Sequence, residues 1–130
     1  MKIKNVQTDA APAAIGPYSQ AVVIRDLVFT SGQIALSPID EEFLNGTIEE
    51  QTHRVLKNLE AVLIAAHSSL SNVVKTTIFL REIKDFAVVN SVYAEFFGNH
   101  KPARTTVAVK SLPKNALIEI DAIATLNSEN

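Results

Sequence analysis

The sequence predicts an α+β fold: one sheet with two amphipathic helices on one face, in a single domain over residues 1–130. Short β-branched runs and helical periodicities follow one another in the order strand, strand, helix, strand, helix, strand, strand. The length of 130 residues, with 47% hydrophobic and 20% charged residues, suits one globular unit with a core of its own. No internal repeat or low-complexity tract breaks the pattern.

"DAAPAAIGPYSQ" (9–20) has two prolines and a glycine and reads as an ordered loop. "AVVIRDLVFTSG" (21–32) offers two β-rich runs around Arg25-Asp26, a hairpin. "QIALSPIDEEFLNG" (33–46) is a loop punctuated by Pro38 and Gly46. A helix is predicted to begin at Thr47, because Thr47 and Glu50 have the spacing of a capping box. Ile48, Thr52, Val55, Leu56, Leu59, Val62, Leu63 and Ala66 then recur at helical spacing. "NVVKTTIFLR" (72–81) is a β-branched strand. "DFAVVNSVYAEFFG" (85–98) is a second helix, with Phe86, Val89, Tyr93, Phe96 and Phe97 on one side and Gly98 at the C-cap. "RTTVAV" (104–109) and "ALIEIDAIATL" (116–126) close the chain as strands. The helices cover the core face of the sheet. Nothing in the chain covers the other face, which must meet another subunit if it is apolar.

Composition removes several function classes. Twelve Lys and Arg against fourteen Asp and Glu give a net charge of −2, with no basic run, so nucleic acid is not an expected partner. With no cysteine there is no disulfide, thiol nucleophile or Cys-ligated metal. His53, His67 and His100 are scattered without metal spacing, and the four glycines form no phosphate loop, so neither metal nor cofactor is expected. "MKIKNVQTDAAP" has no apolar signal region, and the longest aliphatic run, "AVLIAA", is six residues, far short of a membrane span. A cytoplasmic chain without membrane association is the expectation.

A few residues have the means for chemistry. Glu119 and Asp121 lie two apart in an aliphatic strand and so share a face with Leu117 and Ile123. A carboxylate there is costly to bury unless paired, and a solvated face is the plain alternative. Arg104 opens a β-branched strand. It is either a salt-bridge partner at an interface or a two-point receptor for a carboxylate. If the two closing strands pair antiparallel, Arg104, Thr106 and Glu119 fall within a few rungs of one another. Ser31-Gly32, directly after a strand, is either a turn or a point of close approach.

Together, "AIGPYSQAV", "FTSGQIAL", "VVKTTIFL", "DFAVVNSVYAEFF", "PARTTVAV" and "LPKNALIEIDAIA" resemble the RidA (YjgF/YER057c/UK114) family of reactive-intermediate deaminases, from about Ala13 to Ala124. The resemblance implies a chorismate-mutase-like fold with a single mixed sheet. It implies a homotrimer with sheets facing inward and active sites between subunits. The implied reaction is cofactor-free hydrolysis of 2-imino or enamine acids, such as 2-iminobutanoate and 2-iminopropanoate, to 2-oxo acids and ammonia. Arg104 would hold the substrate carboxylate, Glu119 would position or activate water, and Tyr18 would join them. Ser31, Gly32, Asn90 and Thr106 would line the pocket. Many members carry cysteine at the position of Thr106. Threonine keeps the backbone donor there, so hydrolysis is expected to persist and thiol reactivity is not. Two other functions compete: a trimer that binds or senses small carboxylates without turnover, and an endoribonuclease. The acidic balance counts against the latter.

Overall fold

The computed structural model describes residues 2–128. Its six strands are β1 (Ile3–Val6), β2 (Ala21–Ile24), β3 (Leu27–Thr30), β4 (Val73–Leu80), β5 (Ala103–Ala108) and β6 (Ile118–Thr125). They form one sheet in the order β1-β2-β3-β6-β4-β5. Helices α1 (Ile48–Ala65) and α2 (Phe86–Phe97) pack together on one face. The sheet is mixed, because β4 and β5 run parallel and every other pair is antiparallel.

Local chemistry explains where the helices start and stop. The Glu50 N–H donates to Thr47 Oγ1 at 3.2 Å, and the Thr47 N–H donates to Glu50 Oε1 at 3.0 Å. This closes the expected capping box. Val55, Leu56, Leu59, Val62 and Leu63 of α1 are buried against the sheet. Two buried polar residues of α1 tie down its surroundings. Asn58 Nδ2 donates to the carbonyls of Ile34 and Leu36, and Gln51 Oε1 accepts from the Leu117 N–H. The 33–46 loop is thereby fixed on the helix. α2 ends at Gly98, whose φ of 60° suits glycine and whose N–H donates to the Ala94 carbonyl.

The sheet has two unlike faces. Val28, Ile78, Leu80, Ile118, Ile120 and Ala124 point to the helices and are buried. The far face carries Leu27, Phe29, Phe79, Val107 and Ile123, with Lys75, Glu119 and Asp121 among them. Leu27, Phe29 and Val107 are exposed in the single chain.

Two expectations are corrected. Residues 3–6 form an edge strand on β2 that the sequence reading did not anticipate. The closing strands are not an antiparallel pair: β4 lies between β5 and β6. The short crossover through α2 lays β5 parallel beside β4, and β6 then enters between β3 and β4. Among the described residues, no helix is long and apolar enough to cross a membrane.

Candidate active site

Arg104, second in β5, pairs with Thr76 of β4. Thr76 is buried on the helix face and shares a 2.8 Å hydrogen bond with the Tyr93 hydroxyl of α2. Paired residues of neighbouring strands share a face, so Arg104 points toward α2. Its guanidinium carbon lies 4.9 Å from the Tyr93 ring centre and 5.2 Å from that of Phe86. Nη1 donates to Asn90 Oδ1 at 2.8 Å. Phe86, Asn90 and Tyr93 are a single stripe of α2, spaced four and three residues apart. The rings hold the guanidinium by cation–π attraction and the amide sets its rotation. Among the described residues the one acid–base contact at salt-bridge distance is His53 Nε2 to Glu95 Oε2, at 3.8 Å, and Arg104 has no carboxylate partner among them. It opens onto a cavity of about 420 Å³, shared with Asn90, Tyr93, Phe97 and Lys101. Thr106, two residues on and on the same face, has a buried hydroxyl oxygen without a partner.

Glu119 belongs to a different place. It sits opposite Phe79 of β4, three residues from Thr76 and therefore on the other face of the sheet. With Tyr18, Gly32 and Lys114 it lines a second cavity, of about 430 Å³. A Cβ on Gly32 would overlap the Glu119 carboxylate, so the glycine makes room for it. The Ser31 hydroxyl donates to the Ser19 carbonyl at 2.6 Å and the Ser31 N–H to the Gln20 carbonyl at 2.9 Å. Ser31 thus ties the turn to the Tyr18 loop and lines neither cavity.

Glu119 accepts no side-chain or backbone hydrogen bond among the described residues. Burial pushes its carboxyl above the usual carboxylate range, and the like charge of Asp121 pushes the same way. Asp121 is raised by burial as well, opposed by Lys75 and by hydrogen bonding with Thr77. Burial also raises the Tyr93 hydroxyl, against the hydrogen bond with Thr76 and the charge of Arg104.

The structure therefore groups the expected site residues into two sets. Arg104, Asn90 and Thr106 lie on the helix side of β5, and Tyr18, Gly32 and Glu119 lie in the cavity at β6. The condition for closeness of Arg104 and Glu119 within one chain, an antiparallel pairing of the closing strands, is not met, and the two occupy opposite faces. The aromatic seat of Arg104 was not foreseen as part of the site. Its signal was present, because Phe86 and Tyr93 share a helical stripe with Asn90. Among the described residues, no group of three or more His, Asp or Glu is arranged to hold a metal.

The fold is thus a helix-backed mixed sheet with Arg104 on one side and Glu119 on the other, neither of them paired among the described residues. The chain belongs to the endoribonuclease L-PSP family, also known as YjgF/RidA, whose sequence profile matches residues 8–126, and it has that family's chorismate-mutase-like fold. It is 48% identical over 126 residues to Reactive Intermediate Deaminase A, chloroplastic, of Arabidopsis thaliana, covering 97% of this chain and 67% of that protein. Among solved structures it is similar to YyfA of the conserved Rid protein family from Yersinia pestis, with 44% identity and a TM-score of 0.94 over 96% of this chain and 100% of that one. It is also similar to E. coli TdcF with bound serine, with 40% identity and a TM-score of 0.90 over 95% of this chain and 99% of that one.

Proposed function

We propose that this protein hydrolyses reactive 2-imino acids and their enamine tautomers, with 2-iminobutanoate and 2-iminopropanoate as substrates, to 2-oxo acids and ammonia. The site forms in a homotrimer, where the Arg104 cavity of one subunit meets the Glu119 cavity of the next. One observation carries the reading: two groups of complementary chemistry stand on opposite faces of one sheet, and neither is paired among the described residues of its own chain. A second copy supplies the missing half. The uncovered apolar face, with Leu27, Phe29 and Val107, supports such an assembly. The deaminase relative supports the reaction, and the serine held by TdcF supports a small ligand of the amino-acid class. The cysteine-free composition suits a cytoplasmic setting.

Arg104 takes the substrate carboxylate in its two-point fork, which sets C2 of the imine toward the Glu119 side. Glu119, with its affinity for protons raised, takes a proton from water as the water oxygen bonds to C2. The π electrons of the protonated imine move to nitrogen, giving a neutral carbinolamine. Glu119 returns its proton to that nitrogen, the C–N bond breaks with its electron pair going to the departing ammonia, and the C2 hydroxyl yields its proton to Glu119 as it becomes the carbonyl. Imines hydrolyse unaided, so positioning and two fixed charges supply enough.

The test couples this protein to a threonine dehydratase. 2-Oxobutanoate is expected to appear faster than by spontaneous hydrolysis, and an unchanged rate refutes the activity. Complementation tests the divided site. Arg104→Ala and Glu119→Gln chains, each inactive alone, are unfolded, mixed equally and refolded together. Random assembly in a ring pairs an intact Arg104 with an intact Glu119 at roughly a quarter of interfaces. About that fraction of wild-type activity is expected, and none returns if both groups act within one chain.

A further inference from the structure

We propose that Glu41 is a positioning residue of this site, a carboxylate latch that holds the Tyr18 loop against the Glu119 cavity. Its kinetic consequence rests on the deaminase reading, while the latch itself rests on geometry alone. Glu41 lies in the turn after Pro38 and has a φ of 60°. That left-handed conformation is unfavourable for a residue with a side chain and natural for glycine. The turn is closed without the Glu41 side chain: the Glu41 N–H donates to the Ser37 carbonyl at 3.0 Å and the Ser37 N–H to the Glu42 carbonyl at 2.9 Å, while Ser37 Oγ accepts from the Ile39 N–H and Asp40 Oδ1 from the Glu42 N–H. The glutamate side chain does nothing for its own turn.

It acts at a distance instead. Glu41 Oε1 accepts a hydrogen bond from the Ala13 N–H, 28 residues earlier, at 2.9 Å. Oε2 is buried without a partner among the described residues, a second cost of keeping this side chain. Elsewhere the loop that holds Ala13 is anchored at Ser19, by Ser31 and Asn5, and by the buried Gln20. Its Nε2 donates to the carbonyls of Thr8 and Pro12 at 3.0 and 2.8 Å, and its Oε1 accepts from the Thr8 N–H at 2.7 Å. Between Ala13 and Tyr18 the next backbone bond, from the Tyr18 N–H to the Gly16 carbonyl, stays inside the loop. Glu41 is therefore the last outside hold on the chain before Tyr18. This loop also forms a wall. Ala13, Tyr18 and Glu41 line both the Glu119 cavity and a further cavity of about 530 Å³. Without the latch the stretch from Ala13 to Tyr18 has no outside hydrogen bond before the Ser19 anchor, and it gains freedom to shift between the two cavities.

The chain has no tryptophan and two tyrosines, so Tyr93→Phe leaves Tyr18 as the sole emitter. In that background Glu41→Gly, which suits the turn and folds, is expected to lower Tyr18 fluorescence anisotropy and to speed amide exchange in the 13–18 segment. Glu41→Gln is expected to restore both, because its amide oxygen still accepts from the Ala13 N–H. With Tyr93 intact, Glu41→Gly is expected to raise KM for imine hydrolysis about tenfold with little change in kcat, the scale of one hydrogen bond to a charged group, and Glu41→Gln to stay near wild type. Unchanged anisotropy and exchange in Glu41→Gly overturn the latch, whatever the substrate. A loosened loop with unchanged KM overturns the positioning role. If the wild type hydrolyses no imine, the deaminase reading falls, and anisotropy and exchange still decide the latch.

Discussion

Arg104 and Glu119 place opposite demands on their surroundings. Arg104 keeps its charge in any setting, and its seat on Tyr93, Phe86 and Asn90 fixes direction instead of charge. Removing one partner of a desolvated charge pair costs about 2–5 kcal/mol. Arg104→Ala should therefore lower kcat/KM by roughly 30-fold to several thousand-fold in the coupled assay. Arg104→Lys should recover only part, since an ammonium lacks both the planar fork and the ring stacking. Wild-type turnover in Arg104→Ala would reduce the arginine to a surface cation. Glu119 needs the reverse, a setting that makes its charge reluctant, and burial with Asp121 provides it. Asp121→Asn removes the like charge, so the acid limb of the kcat/KM profile should move to lower pH. The same raised carboxyl affects stability. Between its unfolded and its higher folded pKa the native state binds more protons than the unfolded state, so Glu119 lowers stability as pH rises through that window. Glu119→Gln should thus melt higher than wild type at neutral pH, and the gain should vanish below the ordinary carboxylate range. A gain that persisted in acid would exclude ionisation as its cause.

At the scale of elements, α1 depends on a local device that the sequence displays openly. Thr47→Ala removes the acceptor for the Glu50 N–H and should cost about 1 kcal/mol, read as a lower Tm with kcat unchanged. A Tm equal to wild type would show that packing alone fixes the helix start. Features of this kind were legible: the capping box, the apolar stripes of both helices, the hairpin at Arg25-Asp26 and Gly98 at its cap. β1 was not, because "IKNV" is four residues long, half polar, and held on one side only. The placement of β5 was not legible either. Its residues are β-branched without apolar alternation and are mostly exposed, so neither parity nor composition says which side faces α2. The candidate site residues were named from motif resemblance. Their division between two faces depends on β6 entering between β3 and β4, a non-local pairing that no short stretch encodes.

At the scale of the molecule, the proposed trimer would use the far face of the sheet to link assembly to chemistry. Light scattering should give a mass near three times 14.1 kDa, and a stable monomer at micromolar concentration would refute both the trimer and the shared site. If the proposed divided site is right, the opposite-face placement of Arg104 and Glu119 makes catalysis a collective property: a lone chain holds two half-reagents that its own sheet keeps apart, and folding by itself creates no working centre. Below the assembly constant, the rate should rise more steeply than the first power of chain concentration, with specific activity collapsing on dilution and returning on reconcentration. The protein would then act as its own concentration gauge, silent when scarce and switched on by encounter with its own kind.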